Sequence, residues 1–131
     1  MNDVAWLDLL GWDSDDLRDL RFIGYSYIKQ GHFETALKFF EALVILAPQS
    51  HYDIQTLGAI YLEMGNNMEA LKTIDKALML DPHHEDTLLN RAKTLFVLGY
   101  TSQGVTLSKL LSKKQTPHIR DGAEALLLAY S

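Results

Sequence analysis

The sequence predicts an all-α solenoid of about three helix-turn-helix units, with an extra helix at the N-terminus and a capping helix at the C-terminus. Three observations carry this. First, the stretch from Asp19 to Pro82 repeats itself at an offset of about 34 residues, a period at which helical hairpins stack into arrays. Gly24 falls on Gly58, Tyr27 on Tyr61, Gly31 on Gly65, Ala36 on Ala70, Leu37 on Leu71, Lys38 on Lys72, Leu46 on Leu80 and Pro48 on Pro82. Second, apolar residues between these marks recur every three or four positions, the spacing of one helix face. Third, Gly and Pro stand where a hairpin of helices turns and stops.

The whole chain, 1–131, reads as one domain, with an N-terminal helix in 1–13, units at 17–50, 51–84 and 85–118, and a cap at 119–131. In 1–13, Trp6, Leu7, Leu9, Leu10 and Trp12 alternate with Asp3, Asp8 and Asp13 and end on Gly11, the pattern of a short amphipathic helix. It is read either as a lid folded over the first unit or as an element completed by a partner through Trp6 and Trp12, with disorder the remaining alternative. Ser14 before Asp15 and Asp16 predicts the N-cap of a helix over about Asp15–Gln30. Leu17, Leu20, Ile23, Gly24 and Tyr27 are expected to face inward, and Gly24 to mark a close crossing with a second helix at Ala36.

That second helix spans about Phe33–Leu46, with Ala36, Leu37, Phe40, Leu43 and Val44 inward and Pro48 after it. The next pair is Tyr52–Met64 and Met68–Leu80, turning at Gly65-Asn66. The third unit departs from the pattern: Ala92, Leu95 and Gly99 hold the glycine, tyrosine and turn positions, Gly104 replaces the small Ala, and Ser108 replaces Phe40 or Ile74. A last helix, about Ile119–Tyr130, carries Ala123, Leu126, Leu127 and Tyr130. Irregular end units are expected because the ends of a stack must close its core.

Composition narrows the function. The 131 residues are 47% hydrophobic and 22% charged, as in ordinary globular chains. A net charge of −5 argues against nucleic acid, whose phosphates require clustered Lys and Arg. There is no cysteine and hence no disulfide framework. The N-terminus carries Asp where a signal peptide carries Lys or Arg, and no apolar run approaches the roughly 20 residues of a membrane span, so a cytoplasmic protein with no membrane span is expected.

Residues with chemical potential do not assemble into a catalytic pattern. His83-His84-Glu85-Asp86 lie side by side, where helix geometry turns neighbours apart, so no metal is expected. Asp13, Asp15, Asp16 and Asp19 lack calcium-loop spacing. His32, His51 and His118 fall near loops or helix ends. Neither catalysis nor a cofactor is expected.

The pattern Leu-x2-Ile-Gly-x2-Tyr-x3-Gly-x4-Ala-x3-Phe-x7-Pro over Leu20–Pro48 resembles the tetratricopeptide family. The resemblance implies antiparallel helix pairs, a right-handed superhelix, and a concave face lined by the first helix of each unit. The positions turned away from the second helices then form a peptide groove: Arg21, Tyr25, Ile28 and Lys29, then Tyr52, Gln55, Ala59 and Leu62, then Leu89, Lys93 and Phe96. A C- or N-terminal helix of the same chain filling that groove is the competing reading. The carboxylate clamp of co-chaperones is absent, because its places hold Arg21, Tyr25, Leu57, Asp86 and Asn90.

The stretch Gly31-His32-Phe33-Glu34-Thr35-Ala36-Leu37-Lys38-Phe39-Phe40-Glu41-Ala42-Leu43 resembles the first repeat of the translocator chaperones of bacterial type III secretion, and also the shorter needle and export-accessory chaperones. Pro117-His118-Ile119-Arg120 is similar to the last helix of the needle-subunit group. This implies sequestering of a secreted or assembling subunit, or pairing with a co-chaperone, as a heterodimer or heterotrimer, without nucleotide. A structural scaffold in a larger assembly is the alternative.

Overall fold

The computed structural model describes residues 9–130. Among them are seven helices and no strand: α1 Ser14–Lys29, α2 Phe33–Leu46, α3 His51–Glu63, α4 Asn67–Leu80, α5 Glu85–Val97, α6 Thr101–Leu111 and α7 Pro117–Tyr130. The expected N-terminal helix falls mostly on 1–8, which with Trp6 lies outside the described residues. Leu9 and Leu10 are helical and exposed, and Gly11 follows them at φ 69°.

The three units turn in one way. Gly31, Gly65 and Gly99 have φ of 77°, 79° and 90°, a region where a Cβ is strained. Each glycine N–H bonds back to Ile28, Leu62 or Phe96, and the next residue's N–H reaches the carbonyl of Tyr27, Tyr61 or Leu95 at 2.8–2.9 Å. These paired bonds satisfy the carbonyls left open at each helix end. α1 starts differently from the expectation. Asp13, not Ser14, is the N-cap: its carboxylate accepts from the N–H groups of Asp15 and Asp16, while Asp16 accepts from the N–H of Asp13. The reciprocal box satisfies three backbone donors where a lone hydroxyl at Ser14 would satisfy fewer.

Leu17, Ala36, Phe40, Leu43, Leu57 and Ile60 form one buried cluster, and Ala92, Leu111, Ile119 and Ala123 another. Ile23, expected inside, is 42% exposed.

The close crossings are made by large side chains seated on glycines. A Cβ on Gly24 would fall 2.9 Å from the Phe40 ring and 3.0 Å from Phe39 Cβ, so Phe40, rather than Ala36, claims that space. On Gly58 it would fall 2.8 Å from Ile74 Cγ1. The third unit reverses the arrangement. Phe96 of α5 supplies the bulk, and its ring lies 2.9 Å from where a Cβ on Gly104 of α6 would stand. Ser108, at the place of Phe40 and Ile74, is fully buried.

α7 begins at Pro117, two residues before the expected start, and runs parallel to α5. Thr116 donates to Glu85 at 2.8 Å and His118 pairs with Asp86 at 2.7 Å near their starts, while Tyr130 stacks on Phe96 near their ends. It thus lies beside α5 as a further helix of the α1, α3, α5 series.

Candidate peptide-binding trough

Between α1 and α3 runs a trough of about 200 Å³ lined by Tyr25, Ile28, Phe33, Tyr52, Gln55, Thr56, Ala59, Ile60 and Glu63. Its walls arise from helix spacing. Tyr52, Gln55, Ala59 and Glu63 recur at three- and four-residue steps on one face of α3, and Tyr25 and Ile28 do the same on α1. The small Ala59 leaves the floor open. Tyr52 and Tyr25 are each nearly half exposed. Burial, followed by the neighbouring Tyr25, raises the Tyr52 phenol above its ordinary pKa, so it remains a neutral hydrogen-bonding group.

Arg21 is fixed rather than free. Its Nε donates to Asp53 Oδ1 at 2.6 Å and its Nη2 to Oδ2 at 2.7 Å, with the Asp53 side chain fully buried. The hydrogen bonds to Asp53 raise the guanidinium pKa further, so the cation is permanent. Asp53 was not singled out in the sequence, because an acid in the first turn of a helix reads as a solvated start. The bidentate geometry joins α1 to α3 at the trough and leaves Arg21 as a positioning element.

The other expected groove residues divide. Lys29 lies over the Tyr25 ring, its Nζ 5.2 Å from the centroid. Leu62 is half-buried and outside the trough lining. Leu89 and Lys93 line a separate hollow of about 200 Å³ between α5 and α7, with Asn90, Gly122 and Leu126. Phe96 is a correction: it is 5% exposed, held between Gly104 and Tyr130, so it lines no open groove. Trp12 is 37% exposed.

His51 also departs from the solvated reading. Its ring packs 4.4 Å from that of His84, and its Nε2 lies 3.4 Å from Thr87 Oγ1. His84 caps α5, its Nδ1 accepting from the Thr87 N–H. The signal was a spacing of about one repeat, which sets both rings at the starts of consecutive parallel helices. Burial, then the neighbouring His84, lowers the His51 pKa, and Asp81 opposes this. Among the described residues no group of three His, Asp or Glu side chains could hold a metal ion, and no helix is long and apolar enough to cross a membrane.

Stacked helical hairpins with an apolar trough between their first helices define a tetratricopeptide-repeat protein. The chain belongs to the family described as anaphase-promoting complex, cyclosome, subunit 3 (ANAPC3), whose pattern matches residues 9–109. Its fold is similar to that of the Yersinia enterocolitica type III secretion chaperone SycD in complex with a peptide of the translocator YopD. The two share 23% identity and a TM-score of 0.74 over 91% of this chain and 98% of that one. PcrH in complex with the chaperone binding region of PopD is 22% identical, with a TM-score of 0.80 over 92% and 94%. A heat shock protein sti1 homolog of Schizosaccharomyces pombe is 28% identical over 86 residues, which are 66% of this chain but 15% of that protein.

Proposed function

We propose that this chain is a non-catalytic protein-binding module that holds a segment of another polypeptide in the α1–α3 trough, acting as a cytosolic type III secretion chaperone for a secreted or assembling subunit. The observation that carries the reading is the trough itself: tyrosines and aliphatic side chains around an alanine floor, with Arg21 between the same two helices already bonded to Asp53. Such a surface favours an apolar segment over a charged one. In support, the fold matches two chaperones over nearly their whole length, and both were solved with a partner segment. A subunit destined to polymerise or insert must have its apolar segment covered before export, and a preformed groove does this without chemistry.

The scaffold reading keeps one specific support, the match to a family described as a subunit of a large complex. The convex side offers Ile45 and Met79, 58% and 81% exposed at equivalent places of consecutive units. Partner capture separates the two. Tyr52→Ala with Ala59→Arg is expected to weaken binding of a co-expressed secretion substrate by about tenfold or more per lost anchor. Lys38→Ala with Lys72→Ala, on the second helices, is expected to change nothing. Equal capture by the trough variant and the unmodified protein would remove the trough as the site.

A further inference from the structure

We propose that the hollow between α5 and α7 is a second seat for the same bound segment, one that takes an aliphatic side chain flanked by an acidic residue. This rests on the trough reading above and adds to it a partner chemistry and a spacing.

Both hollows lie between adjacent parallel helices of one series, α1 with α3 and α5 with α7, so a segment crossing the series meets them in turn. Their electrostatics differ. Among the described residues Glu63 is the one charged side chain that lines the first, and Arg21 is cancelled by Asp53. In the second, Leu89 and Leu126 make an apolar floor with Asn90 and Lys93 at the rim. Lys93 is exposed and has no ion pair among the described residues. Among the described residues Lys93 is the one charged side chain that lines the hollow, while Glu85 and Asp86 stand at the start of α5, bonded to Thr116 at 2.8 Å and His118 at 2.7 Å. The lining of the hollow therefore carries one positive charge and no carboxylate, on a chain of net charge −5.

Gly122 keeps this floor in place. A Cβ there would fall 2.8 Å from Leu89 Cδ2, so any larger residue would make the Leu89 side chain shift from its place on α7. What remains above Leu89 has room for an aliphatic side chain, and a carboxylate next to it comes within reach of the long, mobile arm of Lys93. Adjacent helices pack about 8–10 Å apart, so the two hollows are about 20 Å apart. An extended segment rises about 3.3 Å per residue and covers that distance in about six residues. The expected occupant has an uncharged apolar anchor in the first trough and, about six residues away, an aliphatic anchor beside Asp or Glu.

The test is display selection of random peptides of about 16 residues on the full chain. Enriched peptides should pair two apolar anchors at about that spacing, with an acid within two residues of one of them. Lys93→Glu, an exposed change that leaves the helical circular-dichroism spectrum intact, should invert that preference to Lys or Arg and weaken the acidic peptides by about tenfold. Lys76→Glu, equal in net charge, should leave the preference as it was. Peptides that need Tyr52 but are indifferent to Lys93→Glu would overturn the second seat while leaving the first trough standing. Enrichment no greater than on the Tyr52→Ala, Ala59→Arg variant would overturn both.

Discussion

The Phe96 and Tyr130 rings lie face to face, centroids 4.8 Å apart and planes 8° from parallel. Phe96 is nearly buried and Tyr130 is 43% exposed, so the stack is one-sided: Tyr130 seals what Phe96 fills. This contact near the far ends of α5 and α7 completes the alignment begun by the Thr116–Glu85 bond.

The two residues should therefore differ in their cost on truncation. Phe96→Ala empties a buried ring site and is expected to destabilise by about 3–5 kcal/mol. Tyr130→Ala loses mainly the stacking and half a ring of burial, about 1 kcal/mol. Urea unfolding of both variants checks the ratio, and equal losses would mean that Phe96 is not the core element.

Gly58→Leu should cost far more than helix propensity explains, because propensity favours the change. The first added carbon already meets Ile74 Cγ1 at 2.8 Å, with the Ile74 backbone nitrogen at 3.4 Å behind it. Overpacking of this kind costs about 1–3 kcal/mol, and a side chain this large belongs at the top of that range or beyond it. An unchanged thermal midpoint would refute the crossing.

Ser108 is the reverse case. Its hydroxyl is buried and has no hydrogen-bond partner among the described residues. Ser108→Ala should be neutral or stabilising by up to about 1 kcal/mol, since it removes an unsatisfied group. Ser108→Phe, which restores the residue of the first unit, should destabilise, because Phe96 already supplies the bulk against Gly104. Differential scanning calorimetry reads both signs.

Helix order and the Gly31, Gly65 and Gly99 turns were legible because each depends on local chemistry, a period and a residue free to take positive φ. What escaped the sequence depends on pairs distant along the chain. Asp53 looks like any acid at a helix start until Arg21 is seen to meet it from the preceding unit. Phe96 has the spacing of a groove residue. It is buried because Gly104 and Tyr130 close on it, and no periodicity encodes that exchange of bulk between helices. The trough residues Tyr25, Ile28, Tyr52, Gln55 and Ala59 were recoverable because they follow from helix phase alone.

The Arg21–Asp53 pair should respond asymmetrically. Arg21→Met leaves a fully buried carboxylate without its counter-ion, a change that costs about 3–5 kcal/mol at buried pairs. Asp53→Asn leaves a guanidinium that keeps some access to water, and about 1–2 kcal/mol is expected. Arg21→Met combined with Asp53→Leu should be milder than Arg21→Met alone, because nothing charged then remains buried. Chemical denaturation of the three variants checks the order, and additive losses would deny the coupling.

Stability should fall on mild acidification through His51. Its folded-state pKa lies below the ordinary 6.5, first because burial disfavours the imidazolium and next because His84 stands 4.4 Å away, ring to ring. The unfolded chain therefore binds a proton more readily than the folded one, and stability rises with pH wherever that difference exists. The contribution is complete above about pH 6.5 and is lost progressively as the pH falls through the lowered folded-state value. Thermal midpoints measured at intervals from pH 7.5 to 5.0 should drop in the unmodified protein, and His51→Gln should flatten the part of that slope that sets in below about pH 6.5. A slope that is identical in the two proteins would show that the His51–His84 contact carries no linkage, leaving the acid response to the carboxylates.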